Sequence, residues 1–200
     1  MRATRRELIA RAALGAGGAL AAALEMPALA RAGGAARVPL DEPQVLAQLA
    51  ALEQLAIFSY SQALRAPALS GAGRALAGEV LAYEHAHLRA LAARLKPLGI
   101  SPPTPPSGPR AAARALAGHH LHVSFARRRS GGGWLGLLFD VEEVLERNYH
   151  AALAQLRSAP LLELCAEIYA SEAQHSALLG ELLHPRKPQL ALPDAFVNGS

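Results

Sequence analysis

Ile168-Tyr-Ala-Ser-Glu172-Ala-Gln-His175-Ser-Ala-Leu-Leu179 is the stretch on which the reading of this chain turns. Ile168 and Leu179 belong to an apolar stripe of helical period with Leu161, Cys165 and Leu182. Glu172 and His175 fall on the same stripe, three residues apart, where one helix face brings them together. A stripe that faces a core should be apolar. A buried carboxylate is costly unless it is paired, hydrogen-bonded or bound to a cation.

The same pattern occurs earlier, in Val80-Leu-Ala-Tyr-Glu84-His-Ala-His87-Leu-Arg-Ala-Leu91. A further Glu precedes each Glu-x-x-His by about one hairpin. Glu53 lies among Leu49, Ile57 and Tyr60, and Glu142 lies among Leu138, Leu145 and Tyr149. Tyr60 follows Glu53, and Tyr149 follows Glu142, at the same spacing. The chain therefore repeats one helical hairpin twice, each copy being Glu…Tyr and then Glu-x-x-His. With 13 Glu and 8 His in 200 residues, one Glu-x-x-His would carry little weight. Two of them, each with a partner Glu on a core face at matched depth, carry much more. A third, Glu181/His184, is half a turn off the Glu172/His175 face and should meet solvent.

Composition agrees with helices. The chain is 52% apolar and 18% charged, enough for one domain with a sizeable core. Ala and Leu supply most of the apolar residues, while β-branched residues are sparse, which excludes an all-β fold. The single cysteine, Cys165, rules out an intrachain disulfide framework and any Cys₄ metal site, and reads as a small buried apolar residue. A net charge of +4 does not indicate a nucleic-acid binder.

Four long helices are expected: 43 to about 66, 74–96, 134–157 and 160–183. Pro67 and the Ser70–Gly73 stretch separate the first two, Ser158-Ala-Pro160 the last two, so each pair is an antiparallel hairpin. Residues 97–133 form a long crossover. Its Pro-rich part, 101–109, must be extended, a short helix could follow within 110–128, and Ser130-Gly-Gly-Gly133 reads as a break. The fold class is all-α, a four-helix bundle with one long crossover between its second and third helices. The bundle domain is placed at 43–184, a linker at 31–42 and an extended tail at 185–200.

Residues 1–30 read as an address. Arg5-Arg6 with Leu8-Ile9, a short Ala/Gly/Leu run over 12–24 and Ala28-Leu-Ala30 have the three parts of a secretory signal, of the twin-arginine type. Cleavage is expected after Ala30. The run is too short and Gly-rich to span a membrane well. The localisation expected is periplasm, cell envelope or extracellular.

At these residues the chain resembles the ferritin-like superfamily. Glu53, Glu84-x-x-His87, Glu142 and Glu172-x-x-His175 look like its six-ligand di-iron carboxylate site, over roughly residues 44–184. Leu52-Glu-Gln-Leu-Ala-Ile-Phe-Ser-Tyr60 and Tyr169–His175 are most similar to exported bacterial ferritin-like domain proteins, the branch that includes desiccation-related proteins. The resemblance implies two Fe ions, with Mn or Zn as alternatives, Glu84 and Glu172 bridging, and Glu53/His87 and Glu142/His175 as terminal ligands. It implies Fe²⁺ oxidation by O₂ or peroxide in iron or oxidative-stress handling. A non-enzymatic stress or envelope protein, or a metal carrier without turnover, is the alternative. Tyr60 and Tyr149 could hydrogen-bond ligands or act as redox neighbours, against the plainer reading of packed core tyrosines. Glu146, one turn beyond Glu142, is its competitor as a ligand.

Other features read blandly. His119, His120 and His122 suit an exposed polar loop, with a metal-entry site or a second zinc site as the rival readings. Arg127-Arg-Arg129 suits a solvated charge run, with contact to anionic lipid or cell-wall polymer as the rival. A homodimer is an open expectation.

Overall fold

The computed structural model describes residues 41–187. The signal expected at residues 1–30, most of the linker and the tail beyond 187 lie outside them. Five α-helices follow in order: α1 Glu42–Arg65, α2 Gly71–Leu95, α3 Pro109–Ala117, α4 Gly131–Leu153 and α5 Ala159–Leu183. Short 3₁₀ turns lie at Lys96–Leu98 and Phe125–Arg127. No strand occurs among the described residues. None of their helices is long and apolar enough to cross a membrane.

Helix α1 starts at a capping box. Asp41 accepts from the Gln44 backbone N–H at 2.8 Å, and the Gln44 side chain accepts from the Asp41 N–H at 3.3 Å. Pro43 occupies the first turn, where its missing N–H costs nothing. At the other end Arg74 of α2 closes the first hairpin. Its guanidinium donates to the carbonyls of Leu64, Leu69 and Ala66 at 2.6, 2.9 and 2.9 Å. Those are carbonyls that a helix end and its loop leave open.

Two boundaries differ from the expected ones. Gly131–Gly133 do not break the chain but make the first turn of α4, with Ser130 Oγ accepting from the Gly133 N–H at 3.1 Å. Glycine is needed there for close approach. A Cβ on Gly131 would lie 2.8 Å from the Ala68 carbonyl oxygen of the first hairpin loop. Gly71–Gly73 likewise belong to α2 rather than to the turn before it. The third bundle helix ends at Leu153, short of the expected 157. The N–H groups of Arg157 and Ser158 instead donate to Glu42 Oε1 on α1, at 2.6 and 2.7 Å.

These contacts fix the topology. The start of α1 meets the loop after α4, and the start of α4 meets the loop after α1, so α1 and α4 are antiparallel. The chain must return along the length of the bundle between α2 and α4, about 36 Å for a 24-residue helix. The crossover is packed as it does so. Gln54 donates its amide to the Pro103 carbonyl. Ala112 and Leu116 of α3 are buried, and Phe125 meets Phe58 edge-on at 5.5 Å.

Leu46, Leu49, Val80, Leu91, Leu138, Leu145 and Leu179 form the core of the four long helices, all fully buried. Each such side chain contributes about 1.5–3 kcal/mol. Ile57, Leu161 and Leu182, expected on the same stripes, lie at their edges and are half-buried, as are Leu64 and Leu88. Cys165 is buried among them. The α2–α5 seam is the least closely packed of the bundle's four seams.

Candidate metal centre

Six polar residues interrupt this core at one level: Glu53 on α1, Glu84 and His87 on α2, Glu142 on α4, Glu172 and His175 on α5. The four carboxylates are 0% exposed, and all four long helices contribute. Ligand atoms of Glu53, Glu84, His87 and Glu172 lie within 4.8 Å of one another, as do those of Glu84, Glu142, Glu172 and His175. Glu84 and Glu172 belong to both groups.

Both histidines turn Nδ1 toward the carboxylates. His175 Nδ1 lies 3.2 Å from Glu84 Oε1, 3.2 Å from Glu172 Oε2 and 3.5 Å from Glu142 Oε2. His87 Nδ1 lies 2.8 Å from Glu172 Oε1, 3.7 Å from Glu53 Oε2 and 3.9 Å from Glu84 Oε2. The 2.8 Å contact is close but not aligned as a hydrogen bond. The two rings stack at 5.9 Å.

Tyrosines tie the halves together crosswise. Tyr60 of α1 donates to Glu142 Oε1 on α4, and Tyr149 of α4 donates to Glu53 Oε1 on α1. Each hydroxyl fixes one oxygen of a terminal carboxylate and leaves the other facing the cluster. Burial, then repulsion from the bonded carboxylate, holds both phenols well above their usual range.

The charge arrangement explains how such a cluster survives in a core. Two unscreened carboxylates within 4.8 Å repel by about 3.5 kcal/mol or more at an effective dielectric near 20. Burial pushes Glu53 and Glu142 well above the usual carboxylate range. Burial also works against the two imidazoliums. The surrounding carboxylates outweigh it, Glu172 first for His87 and Glu142 first for His175, and push both histidines up to about 12. Glu172, opposed by burial but contacted by His175 and His87, falls to about 2. Protons on the histidines thus offset part of the carboxylate charge.

They do not satisfy it. Glu53 Oε2, both Glu84 oxygens, Glu142 Oε2, Glu172 Oε1 and His87 Nδ1 are buried without a hydrogen-bond partner. Native cores rarely leave such atoms unpaired. Oxygen and imidazole donors in two groups that share Glu84 and Glu172 are the donor types that bind divalent metal ions. The donor set could therefore hold metal.

The structure separates Glu142 from Glu146. Glu146 stands outside both groups and accepts from Ser176 Oγ on α5; burial raises its pKa. Glu143 is half-buried at the rim. Glu79, His85, Glu181 and His184 are exposed. His119, His120 and His122 are not brought into any such group among the described residues. Arg127, Arg128 and Arg129 line an open cleft of about 370 Å³ with Ser124, Ser130 and Gly133.

Two neighbours of the site are not singled out by the sequence reading. Ser171 Oγ lies 3.3 Å from His175 Nε2, and the Tyr83 ring lies 5.6 Å from the His175 ring. Ser171 could be read from its position one turn before His175. Tyr83 is visible only once α2 and α5 are set side by side.

Four helices, one long crossover and this cluster define the ferritin-like class. The family model described as "Ferritin-like domain" matches residues 41–185, and the chain belongs to that family. Among solved structures it is similar to a conserved hypothetical protein from Mycobacterium tuberculosis. The match has a TM-score of 0.57 and 17% identity, and covers 71% of this chain and 89% of that one. At that identity the likeness shows the fold alone. No curated protein matches.

Proposed function

We propose that the chain binds two iron ions between its four long helices and oxidises Fe²⁺ with O₂ or hydrogen peroxide. The observation that carries this reading is the set of buried, unpartnered carboxylate oxygens arranged as two groups that share Glu84 and Glu172. Glu53 with His87, and Glu142 with His175, would complete the two positions. Two adjacent Fe²⁺ supply two electrons together, which a single ion cannot. With peroxide the balance is two Fe²⁺, one H₂O₂ and two protons giving two Fe³⁺ and two waters. With O₂ the same two electrons and two protons give H₂O₂.

The chain's own residues set the conditions. Tyr60 and Tyr149 hold Glu142 and Glu53 in position and keep their own hydroxyl protons. Leu49, Leu138 and the neighbouring core exclude bulk water from the carboxylates. His87 and His175 yield the protons that incoming cations displace. The pattern in residues 1–30 supports export by a twin-arginine-type route as part of this reading.

The test is metal stoichiometry after anaerobic Fe²⁺ loading, beside a Glu84→Ala/Glu172→Ala variant. About two ions per chain in the wild type, lost in the variant, are expected from the two groups. A pulse of O₂ or peroxide should then raise ferric absorbance. Tight binding of about two ions without oxidation would leave a carrier. No tight iron would sink the ferroxidase reading.

A further inference from the structure

The two halves of the site match in their ligating groups but not in what surrounds the histidines. Tyr83 immediately precedes Glu84, and Ser171 immediately precedes Glu172, so the repeat makes these positions equivalent. One carries a large ring and the other a small hydroxyl. Tyr83 is 50% exposed and leans across the α2–α5 seam onto His175, with its ring tilted by 41° at 5.6 Å. Ser171 turns to the histidine of its own helix and meets His175 Nε2 at 3.3 Å. Both groups attend His175.

His87 receives neither. Among the described residues no hydrogen bond reaches its Nε2. Its side chain is 10% exposed, against 5% for His175. The remaining features are paired: each Nδ1 faces carboxylates, and each terminal Glu accepts from the tyrosine of the opposite hairpin.

We propose that Tyr83 and Ser171 are positioning residues that make the two metal positions kinetically unequal. The position completed by His175 is locked, and the position completed by His87 is the exchangeable one, through which ions enter and leave. This rests on the dinuclear reading above. The physical reason is that an ion departs as its ligands swing away one at a time. An imidazole whose outer nitrogen no protein group holds swings first. One whose outer nitrogen is held and whose face is covered must first displace Ser171 and Tyr83. Outer partners of ligating histidines are typically worth 10–100-fold in metal affinity.

Release of Co²⁺ from the loaded full chain into excess colorimetric chelator, followed by stopped flow, tests this. Two phases of equal amplitude are expected, about tenfold or more apart in rate. Tyr83→Ala/Ser171→Ala should accelerate the slow phase until the two merge, with the Co²⁺ content unchanged. Tyr83→Phe, which keeps the ring, should retain both phases. Tyr83 is at the surface, and circular dichroism of each variant controls for folding. A single phase from wild type carrying two Co²⁺, or a slow phase untouched by the double substitution, overturns the inference. Fewer than two Co²⁺ bound by the wild type at the outset overturns the dinuclear reading and this inference with it.

Discussion

Tyr60 on the first helix donates its hydroxyl to Glu142 on the fourth, 82 residues further along the chain. The bond leaves Glu142 Oε2 as a buried oxygen with no partner. A residue of one hairpin therefore aims a candidate ligand of the other. Tyr60→Phe removes only the hydroxyl and keeps the packed ring. It should cost about 10–100-fold in metal affinity, the usual loss for an outer-shell partner. Melting temperature in the metal-free state should fall, because Glu142 keeps a buried oxygen that has lost its donor, a cost of about 1–3 kcal/mol. Calorimetric titration with Co²⁺ checks the first statement and thermal denaturation the second. Unchanged affinity would return Tyr60 to the role of a core tyrosine.

Metal uptake should expel protons. His87 and His175 are pushed up to about 12, and Glu53 and Glu142 are raised well above the carboxylate range, burial being the largest cause for the two Glu. Ligation needs neutral imidazole and ionised carboxylate. Affinity should therefore rise with pH between about 5 and 8, where protons compete less. Titrations in two buffers of different ionisation heat give the number of protons released. No net release would show that the histidines are already neutral and the carboxylates already ionised in the metal-free protein.

Arg74 should matter more than an exposed arginine normally does. Its guanidinium closes the first hairpin by donating to Leu64, Ala66 and Leu69, which needs a planar fork. Arg74→Ala should cost about 1.5–3 kcal/mol in urea denaturation, the range for hydrogen bonds to a charged group. Arg74→Lys should recover only part of it, since an ammonium cannot span three carbonyls. Full recovery by lysine would mean that charge near the end of α1 suffices.

Much of this is legible in the sequence. Glu53, Glu84, Glu142 and Glu172 stand out because helical period sets them on apolar stripes, and period is a local property. The same logic gave the two hairpins and the long return between them. Gly131–Gly133 read as a break because glycine has poor helix propensity. Tertiary approach to the Ala68 carbonyl, invisible in local sequence, decides in favour of a helix there. Tyr83 against His175, and Glu42 against Ser158, depend on the register between helices far apart in the chain. No spacing rule within one helix encodes that register.

Glu42 joins the hairpins at the end opposite the Arg74 clamp. Its carboxylate accepts the backbone N–H groups of Ser158 and Arg157, and these bonds hold its pKa below the ordinary value of 4.5. Ser158 precedes α5 and makes no side-chain cap of its own, so α1 supplies the anion for the start of α5. A carboxyl with a depressed folded pKa adds stability that is present above its unfolded value. That stability disappears as pH falls through the folded value. Glu42→Gln should therefore lower the melting temperature at neutral pH, and the gap to wild type should close on acidification below about pH 4. Because Glu42 lies at the far end of α1 from the first hairpin loop and outside both ligand groups, Co²⁺ stoichiometry should be unaffected. A melting difference that stays constant into acid would show that the amide dipole, not the charge, holds the start of α5.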